Sequence, residues 1–470
     1  MKKLPIKISS ILFFMILLLA SCTKYKKMDD NYVLLIKDVG LRKGVFIRRY
    51  QLTGEYGRQD RFTAEILKKY IKEILEPNYL FIQHAHDLGM HQEPGTARKI
   101  KEYRMNLLAD SHPIKFEQLT ILKDELRDFY EKKSVRYDID VIQTNSATSA
   151  DSLYKLLLEG HEIERPKEMS ATTFPQYFQY KNVTYGELLH PEIFAIIQTL
   201  NEGDVSRPAY IASIWTIIRL NKKVKNKDLE SFDQMENRLL QQSQAVFKYE
   251  QQKQLLNELK KKYPASVKTQ FYSSMLDAYR LVDQRRVIDK SKIDKDELEA
   301  TFLKIKDDKI ALSDFISSFN QANQFFQIPH LTEKDLSHFV DEYIAHHLLY
   351  LDAFEKQVEH DPLIKDKLEN KEHRILLNQY LNEEIARKVV ITDDDARKYY
   401  QQTRGKWEAD YEKIASNVKN ELKNKRLVDK KNELVNKLQN KYPVRYNEAL
   451  LMQIAEELTK EKSAQKKSSS

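Results

Sequence analysis

Histidines, carboxylates and a single thiol are the residues of this chain that could do chemistry, and their spacing limits what they do. His84, His86 and His91 lie close in sequence, as do His346 and His347. Paired histidine ligands on one helix usually sit at i and i+4. Neither group has that spacing, so these side chains read as structural or surface residues. Asp393, Asp394 and Asp395 follow Thr392. The run suits the N-terminus of a helix, where the dipole favours carboxylates and threonine caps, better than it suits a metal. No nucleophile–histidine pairing stands out, and no glycine-rich phosphate loop exists. No metal and no small-molecule cofactor is therefore expected. The only cysteine, Cys22, has no second thiol to pair with. Of the many aromatic residues, Phe325, Phe326 and Tyr272 are candidates for an apolar surface that binds polypeptide. The alternative is that they fill cores.

Cys22 gains meaning from what precedes it. Lys2, Lys3 and Lys7 make a basic start, residues 11–20 form an apolar run, and small residues follow. These are the three parts of a secretory signal. About ten apolar residues are too few to cross a hydrocarbon core roughly 30 Å thick. Leu19-Ala20-Ser21-Cys22 resembles the lipobox of bacterial lipoproteins, which implies cleavage before Cys22 and acylation of its sulfur. Residues 1–21 are read as a lipoprotein signal peptide and 22–32 as a polar tether. Two or more acyl chains give stable anchoring, and acylation removes a thiol that would be a hazard in an oxidising compartment.

Composition bounds the remainder. Glycine is only 10 of 470 residues, about 2% against a usual ~7%, which favours long helices over tightly turned β architectures. The formal charge is +8, and three of those charges lie in the signal peptide, leaving about +5. Basic and acidic residues alternate as on solvated helix faces. Nucleic-acid binding wants a segregated basic stripe. The sequence has none apart from the short tail at 460–470, so nucleic acid is not an expected partner.

The elements that would position these residues show themselves as a repeat. Val33-Leu-Leu-Ile-Lys-Asp38 matches Phe302-Leu-Lys-Ile-Lys-Asp307 at an offset of 269 residues. Phe46-Ile47 meets Phe315-Ile316, and Thr63 meets Thr332, at the same offset. Ile121, Asp124, Arg127 and Tyr130 meet Ile391, Asp394, Arg397 and Tyr400 at 270. The offset then falls to 179, where Lys262-Tyr263-Pro264 meets Lys441-Tyr442-Pro443. The difference, 91 residues, outlines an insertion at 131–222 in the first copy only. Each copy reads as a short strand and turn, then helices with apolar spacing of three and four. Each ends in a long charged helix stopped by proline.

The insertion changes pattern. Residues 135–144 alternate like a strand, 149–158 and 191–200 read as helices, 202–208 as a turn and 210–220 as a closing strand. Leu200-Asn-Glu-Gly203-Asp-Val-Ser-Arg-Pro208 is similar to the Leu-x-x-Gly-Glu-x-Ser-x-Pro turn of parvulin-type peptidyl-prolyl isomerases. Trp215-Thr-Ile-Ile-Arg-Leu220 sits where that family carries Gly-Tyr-His-Ile-Ile-Lys-Leu, and Tyr137-Asp-Ile-Asp-Val-Ile142 where it carries Tyr-x-x-His-Ile-Leu. Helical module, small α/β domain and returning helix behind a signal peptide resemble the SurA and PrsA foldases. The resemblance implies two histidines on adjacent central strands beneath the bound proline. Here those positions read as Asp140 and Thr216, and the family's glycine-rich segment is absent between residues 168 and 185. An aspartate there, if buried, needs a partner or a raised pKa, so little or no isomerase activity is expected.

The resulting expectation is a mainly α chain with duplicated SurA-like helical modules and one inserted parvulin-like domain. Its parts are module 1 at 33–130, the parvulin-like domain at 131–222, a returning helix and connector at 223–298, module 2 at 299–453 and a polar tail at 454–470. The resemblance implies a periplasmic, lipid-anchored chaperone that holds unfolded exported or outer-membrane proteins. An active isomerase and a non-catalytic envelope assembly scaffold are the competing readings.

Overall fold

The computed structural model describes residues 31–116, 119–161, 174–187 and 189–469. The signal peptide read at 1–21, Cys22 and the tether as far as residue 30 lie outside the described residues. The chain is mainly α-helical with small sheets. It divides into two compact units, one of residues 1–107 with 359–470 and one of residues 108–358.

Each copy of the repeat opens with a β-hairpin, β1 (Tyr32–Ile36) with β2 (Val39–Arg42) and β10 (Thr301–Ile305) with β11 (Asp308–Ala311). The hairpins agree in detail. A break in register falls between Tyr32 and Leu34 in one and between Thr301 and Leu303 in the other. The first turn residue, Lys37 or Lys306, has a φ of 52° or 53°, the left-handed conformation used by tight hairpin turns. Helix α1 (Lys43–Gln51) follows the first hairpin and α7 (Leu312–Phe326) the second. Thr63 and Thr332 then each cap a helix, accepting from the amides of Ile66 and Asp335. Later in each copy a short helix packs against a long one: α3 (Lys123–Lys132) on α6 (Phe232–Lys262), and α10 (Asp393–Gln402) on α11 (Tyr411–Lys441). Thr392 and Asp395 form a capping box at the start of α10, so the aspartate run is a helix start.

The hairpins are completed crosswise. Two strands alone are marginal in water, and each hairpin gains a third strand from the segment after a long helix. β7 (Ala265–Val267), which follows α6, pairs with β10, and β12 (Val444–Tyr446), which follows α11, pairs with β1. The registers correspond: Leu34 faces Tyr446 and Ile36 faces Val444, as Leu303 faces Val267 and Ile305 faces Ala265. The first hairpin is thus closed by the end of the second copy, and the second hairpin by the end of the first.

The cores follow the sheets. Val33, Leu34, Ile36 and Phe46 share a core with Leu438, Tyr442 and Leu451. Tyr263, Phe271 and Met275 share one with Phe302, Leu303 and Phe315. The sequence modules, 33–130 with 223–298 on one side and 299–453 on the other, are therefore regrouped. The self-match identifies equivalent strands, but because they are equivalent, either satisfies either hairpin. The tail read from residue 454 is also corrected. Helix α12 (Glu448–Ser469) begins before it, and Leu450, Leu451, Ile454, Ala455 and Leu458 are buried in the first core. Their spacing of one, three and four residues is an apolar helix stripe, and the lysines that suggest a tail lie beyond it.

The inserted domain contains β3 (Val135–Thr144), α4 (Ala147–Leu158), β4 (Gln176–Thr184), α5 (Pro191–Ile197), β5 (Ala209–Ile211) and β6 (Ile214–Lys225). They form one antiparallel sheet in the order β4-β3-β6-β5. It stands between α3 and α6, where the second copy has only residues 403–410 between α10 and α11.

Burial in the first core predicts that Ile454→Ala costs about 2–5 kcal/mol in denaturant unfolding. A cost within about 0.5 kcal/mol, as for a surface site, would contradict the placement of α12.

Candidate functional site

The centre of the inserted sheet is where the parvulin resemblance places chemistry. β3 and β6 pair without interruption from Ile139 opposite Leu220 to Thr144 opposite Trp215. Directly paired residues point to the same face, and the face alternates along a strand. Asp140 pairs with Arg219 and Thr216 pairs with Gln143, three positions apart on β3. Asp140 and Thr216 therefore lie on adjacent central strands but on opposite faces, and they cannot act on one bound group. This corrects the sequence assignment. The β3 residues on the face of Thr216 are Ile139, Val141 and Gln143, with Gln143 directly opposite it. None of these side chains is an acid, a base or a histidine.

Asp140 is fully buried. Arg219 donates to its Oδ2 from Nε at 3.0 Å and from Nη2 at 2.7 Å, and Gln179 Nε2 lies 3.3 Å from Oδ1. Burial alone would push this carboxyl up. Hydrogen bonds from Asn221, Tyr177 and Arg219 outweigh it and hold the group below its ordinary value. It is an ionised, partnered carboxylate with no proton to give near neutrality. Thr216 is also fully buried, and its hydroxyl reaches only the Ile214 carbonyl at 3.4 Å. The face it shares carries Ile139, Val141, Ile218 and Leu220 against Ile193, Phe194 and Ile197 of α5.

The turn that carries the motif is explained by its hydrogen bonds. Gly203 has a φ of 90°, a region costly for any residue with a Cβ, and its amide donates to Leu220 O at 2.7 Å. Asp204 accepts from the Asn201 amide at 2.8 Å, and Ser206 Oγ accepts from the Ile218 amide at 2.9 Å. Glycine, acid and serine lace the turn onto β6. They do structural work.

The end of the sheet is docked within the same unit onto α8 (Glu333–Glu355). Asp335 Oδ1 accepts from Trp215 Nε1 at 2.8 Å and from the Ala147 amide at 2.9 Å, while Oδ2 accepts from the Thr332 amide and hydroxyl. Tyr210 stacks on His338 with centroids 4.5 Å apart, and Ser213 donates to Glu342. Asp335 was not singled out in the sequence, where its only signal is the capping pattern after Thr332. Beside this joint lies an open groove of about 620 Å³, lined by Thr148, Ser152, Leu153, Pro175, Phe326 and Pro329. Phe326 borders the groove and Phe325 is 75% exposed. Tyr272 is not a surface residue: it is buried beside Phe302 in the second core.

The histidines are distributed through the packing. His84 and His86 sit on α2 (Glu76–Asp87), with His84 Nδ1 3.0 Å from Tyr442 Oη and the His86 ring tilted against that of His91 at 4.7 Å. His347 Nε2 is 2.9 Å from Asp308, and His346 Nε2 is 3.8 Å from Asp110. Among the described residues no group of three potential ligands is arranged to hold a metal ion.

The Asp140–Arg219 pair yields a prediction with a pH sign. Arg219→Met leaves a buried carboxylate without its cation and is expected to cost about 2–3 kcal/mol near pH 7. Because the folded pKa of Asp140 is depressed, the pair's contribution is complete above the unfolded value of about 3.9 and is lost as pH falls through the folded one. Urea titrations should show the mutational cost shrinking in acid. A cost that is absent, or constant down to strongly acidic pH, would contradict the pairing.

Residues 122–237 match the PPIC-type PPIASE domain family. No curated protein matches the chain. Among solved structures, the chain is similar to a peptidylprolyl isomerase, PrsA, from Bacillus anthracis (15% identity, TM-score 0.21, covering 46% of this chain and 92% of that one). It is also similar to the foldase protein PrsA from Streptococcus pneumoniae (11% identity, TM-score 0.20, covering 44% and 85%). Residues 122–237 thus carry the match to a PPIC-type domain, the parvulin class, and lie within a mainly helical chain.

Proposed function

We propose that the chain is a lipid-anchored chaperone of the cell envelope, which holds unfolded exported or outer-membrane polypeptides and uses its parvulin-class domain for binding without catalysis. The observation that carries the reading is the sheet centre of that domain. Isomerisation lowers a barrier of roughly 18–20 kcal/mol about a resonant C–N bond, by contacts that favour the twisted amide over the planar one. On the face of Thr216, the β3 side chains Ile139, Val141 and Gln143 bring no acid, base or histidine, the Thr216 hydroxyl is turned to its own strand, and Asp140 is committed to Arg219. A domain that keeps its fold and its motif turn without an acid, a base or a histidine free at the centre is suited to contact and support.

Holding requires weak binding at several points, because each client must be released. The groove bordered by Phe326, with Phe325 exposed beside it, supplies apolar contact of that kind. The anchor rests on Leu19-Ala20-Ser21-Cys22. Among the described residues no helix is long and apolar enough to cross a membrane, so attachment would fall to the lipid.

The test is light scattering of several denatured, aggregation-prone outer-membrane proteins diluted into the chain from Thr23 onward. Suppression at near-stoichiometric ratios, weakened by Phe325→Ser with Phe326→Ser, is the expected result. Failure to suppress any client would sink the holding reading in favour of an assembly scaffold.

A further inference from the structure

We infer that the outer edge of one short strand, at residues 279–282, takes up extended client segments as an added β-strand. The inference rests on the holding reading proposed above and names how the backbone of a client is recognised.

The strand belongs to a two-stranded antiparallel hairpin of β8 (Tyr279–Val282) and β9 (Arg285–Ile288). Asp283 and Gln284 form its turn with φ of 47° and 64°, the left-handed pair that a two-residue loop uses. Val282 opposite Arg285 closes that turn by exchanging hydrogen bonds. Bonded and non-bonded pairs alternate, so Arg280 opposite Val287 is the next bonded pair. The remaining pairs are Leu281 with Arg286 and Tyr279 with Ile288. Their amides and carbonyls point away from the hairpin.

On β9 all four outward groups are taken by side chains at the end of α7 and just beyond it. Gln327 accepts from the Arg286 amide at 2.9 Å, and Asn323 donates to the Arg286 carbonyl at 2.8 Å. Asn320 accepts from the Ile288 amide at 2.8 Å and donates to the Ile288 carbonyl at 2.9 Å. Three carboxamides thus seal one edge of the hairpin. On β8 the corresponding groups of Tyr279 and Leu281 have no partner among the described residues. Leu281 is 61% exposed and Val282 38%. Natural edges are usually blunted by proline, bulges or free charge. This one has no proline and no bulge, and its one charged side chain, Arg280, is turned to Asp289. The edge is also rigid: Tyr279 Oη donates to the Ile328 carbonyl at 2.5 Å, and Ile288 is buried in the second core.

An open edge recognises an extended backbone, whose amides and carbonyls have the matching spacing, and asks little of its sequence. Leu281 and Val282 point to opposite faces and add apolar contact on both sides of an added strand. A second copy of the chain would gain little here. Four residues make about 13 Å of strand, too small a contact for the roughly 1,200 Å² that a stable interface buries. That extent suits a client that must be released. Gln327, which holds β9, also lines the groove bordered by Phe326, so groove and hairpin share a residue.

The test is amide hydrogen exchange of the chain from Thr23 onward, with and without an octapeptide of alternating valine and threonine between terminal lysines. Slowed exchange across residues 279–282 is expected. The same peptide with every amide methylated, which can pair along neither edge, should have no effect. Leu281→Pro removes an outward donor and spares the bonds between β8 and β9, as proline does on an edge strand. By fluorescence anisotropy of the labelled peptide it should weaken binding at least about tenfold, and Leu281→Ala, which keeps the amide, only about threefold. Exchange at 279–282 that ignores the peptide, or equal effects of the two variants, overturns the inference. A dimer in sedimentation that Leu281→Pro splits would give the edge to a second copy and also overturns it. Clients still held in the light-scattering test would then leave the holding reading standing without this edge.

Discussion

Strand β12 lying on β1 is the contact on which the rest of one unit depends, and it joins residues more than 400 positions apart. A two-stranded hairpin does not hold itself in water, so β1 and β2 are secure only when the segment after the last long helix arrives. With β12 come Tyr442, Leu451 and Ile454, which complete the core around Val33 and Phe46. The other hairpin is closed over a shorter distance, by β7 after α6. Long-range pairing carries a loop-closure cost that must be met before its contacts form. The unit containing residues 108–358 can therefore close first, while the one built from both ends of the chain waits for the end.

The same economy of roles governs the inserted domain. Its turn at 200–208 is fixed by Gly203, Asp204 and Ser206, its sheet centre by Asp140 with Arg219, and its far end by Asp335 on α8. Asp140, Ser206 and Asp335 are each matched by a protein partner, as burial demands. Groups so engaged are poor catalysts of a reaction that needs free donors or acceptors arranged about one amide. The same groups make a rigid support for the groove beside Phe326.

Much of the fold was legible because repetition exposes it. The offsets of 269 and 179 between the copies reappear as matching register, a matching break between Tyr32 and Leu34, and matching left-handed turns at Lys37 and Lys306. What repetition hides is partnership: equal strands are interchangeable on paper, and only the folded cores decide that β12 joins β1. Strand β4 is hidden in the sequence because residues 168–185 read as the replacement of a glycine-rich segment, although Tyr177, Phe178 and Tyr180 carry β-forming side chains. At the candidate site, the motif match brings Asp140 and Thr216 to adjacent strands, but only the pairing register shows that they face opposite ways, since a shift of one residue moves a side chain to the other face. Tyr272 looked no different in sequence from an exposed aromatic, since burial there depends on Phe302, thirty residues on.

The most direct test of the central claim, that the parvulin-class domain is retained for binding and not for catalysis, is a protease-coupled prolyl isomerisation assay of the whole chain. The account predicts relaxation indistinguishable from the uncatalysed exchange, which takes tens to hundreds of seconds at 25 °C. Saturable acceleration that Thr216→Val abolishes would contradict it.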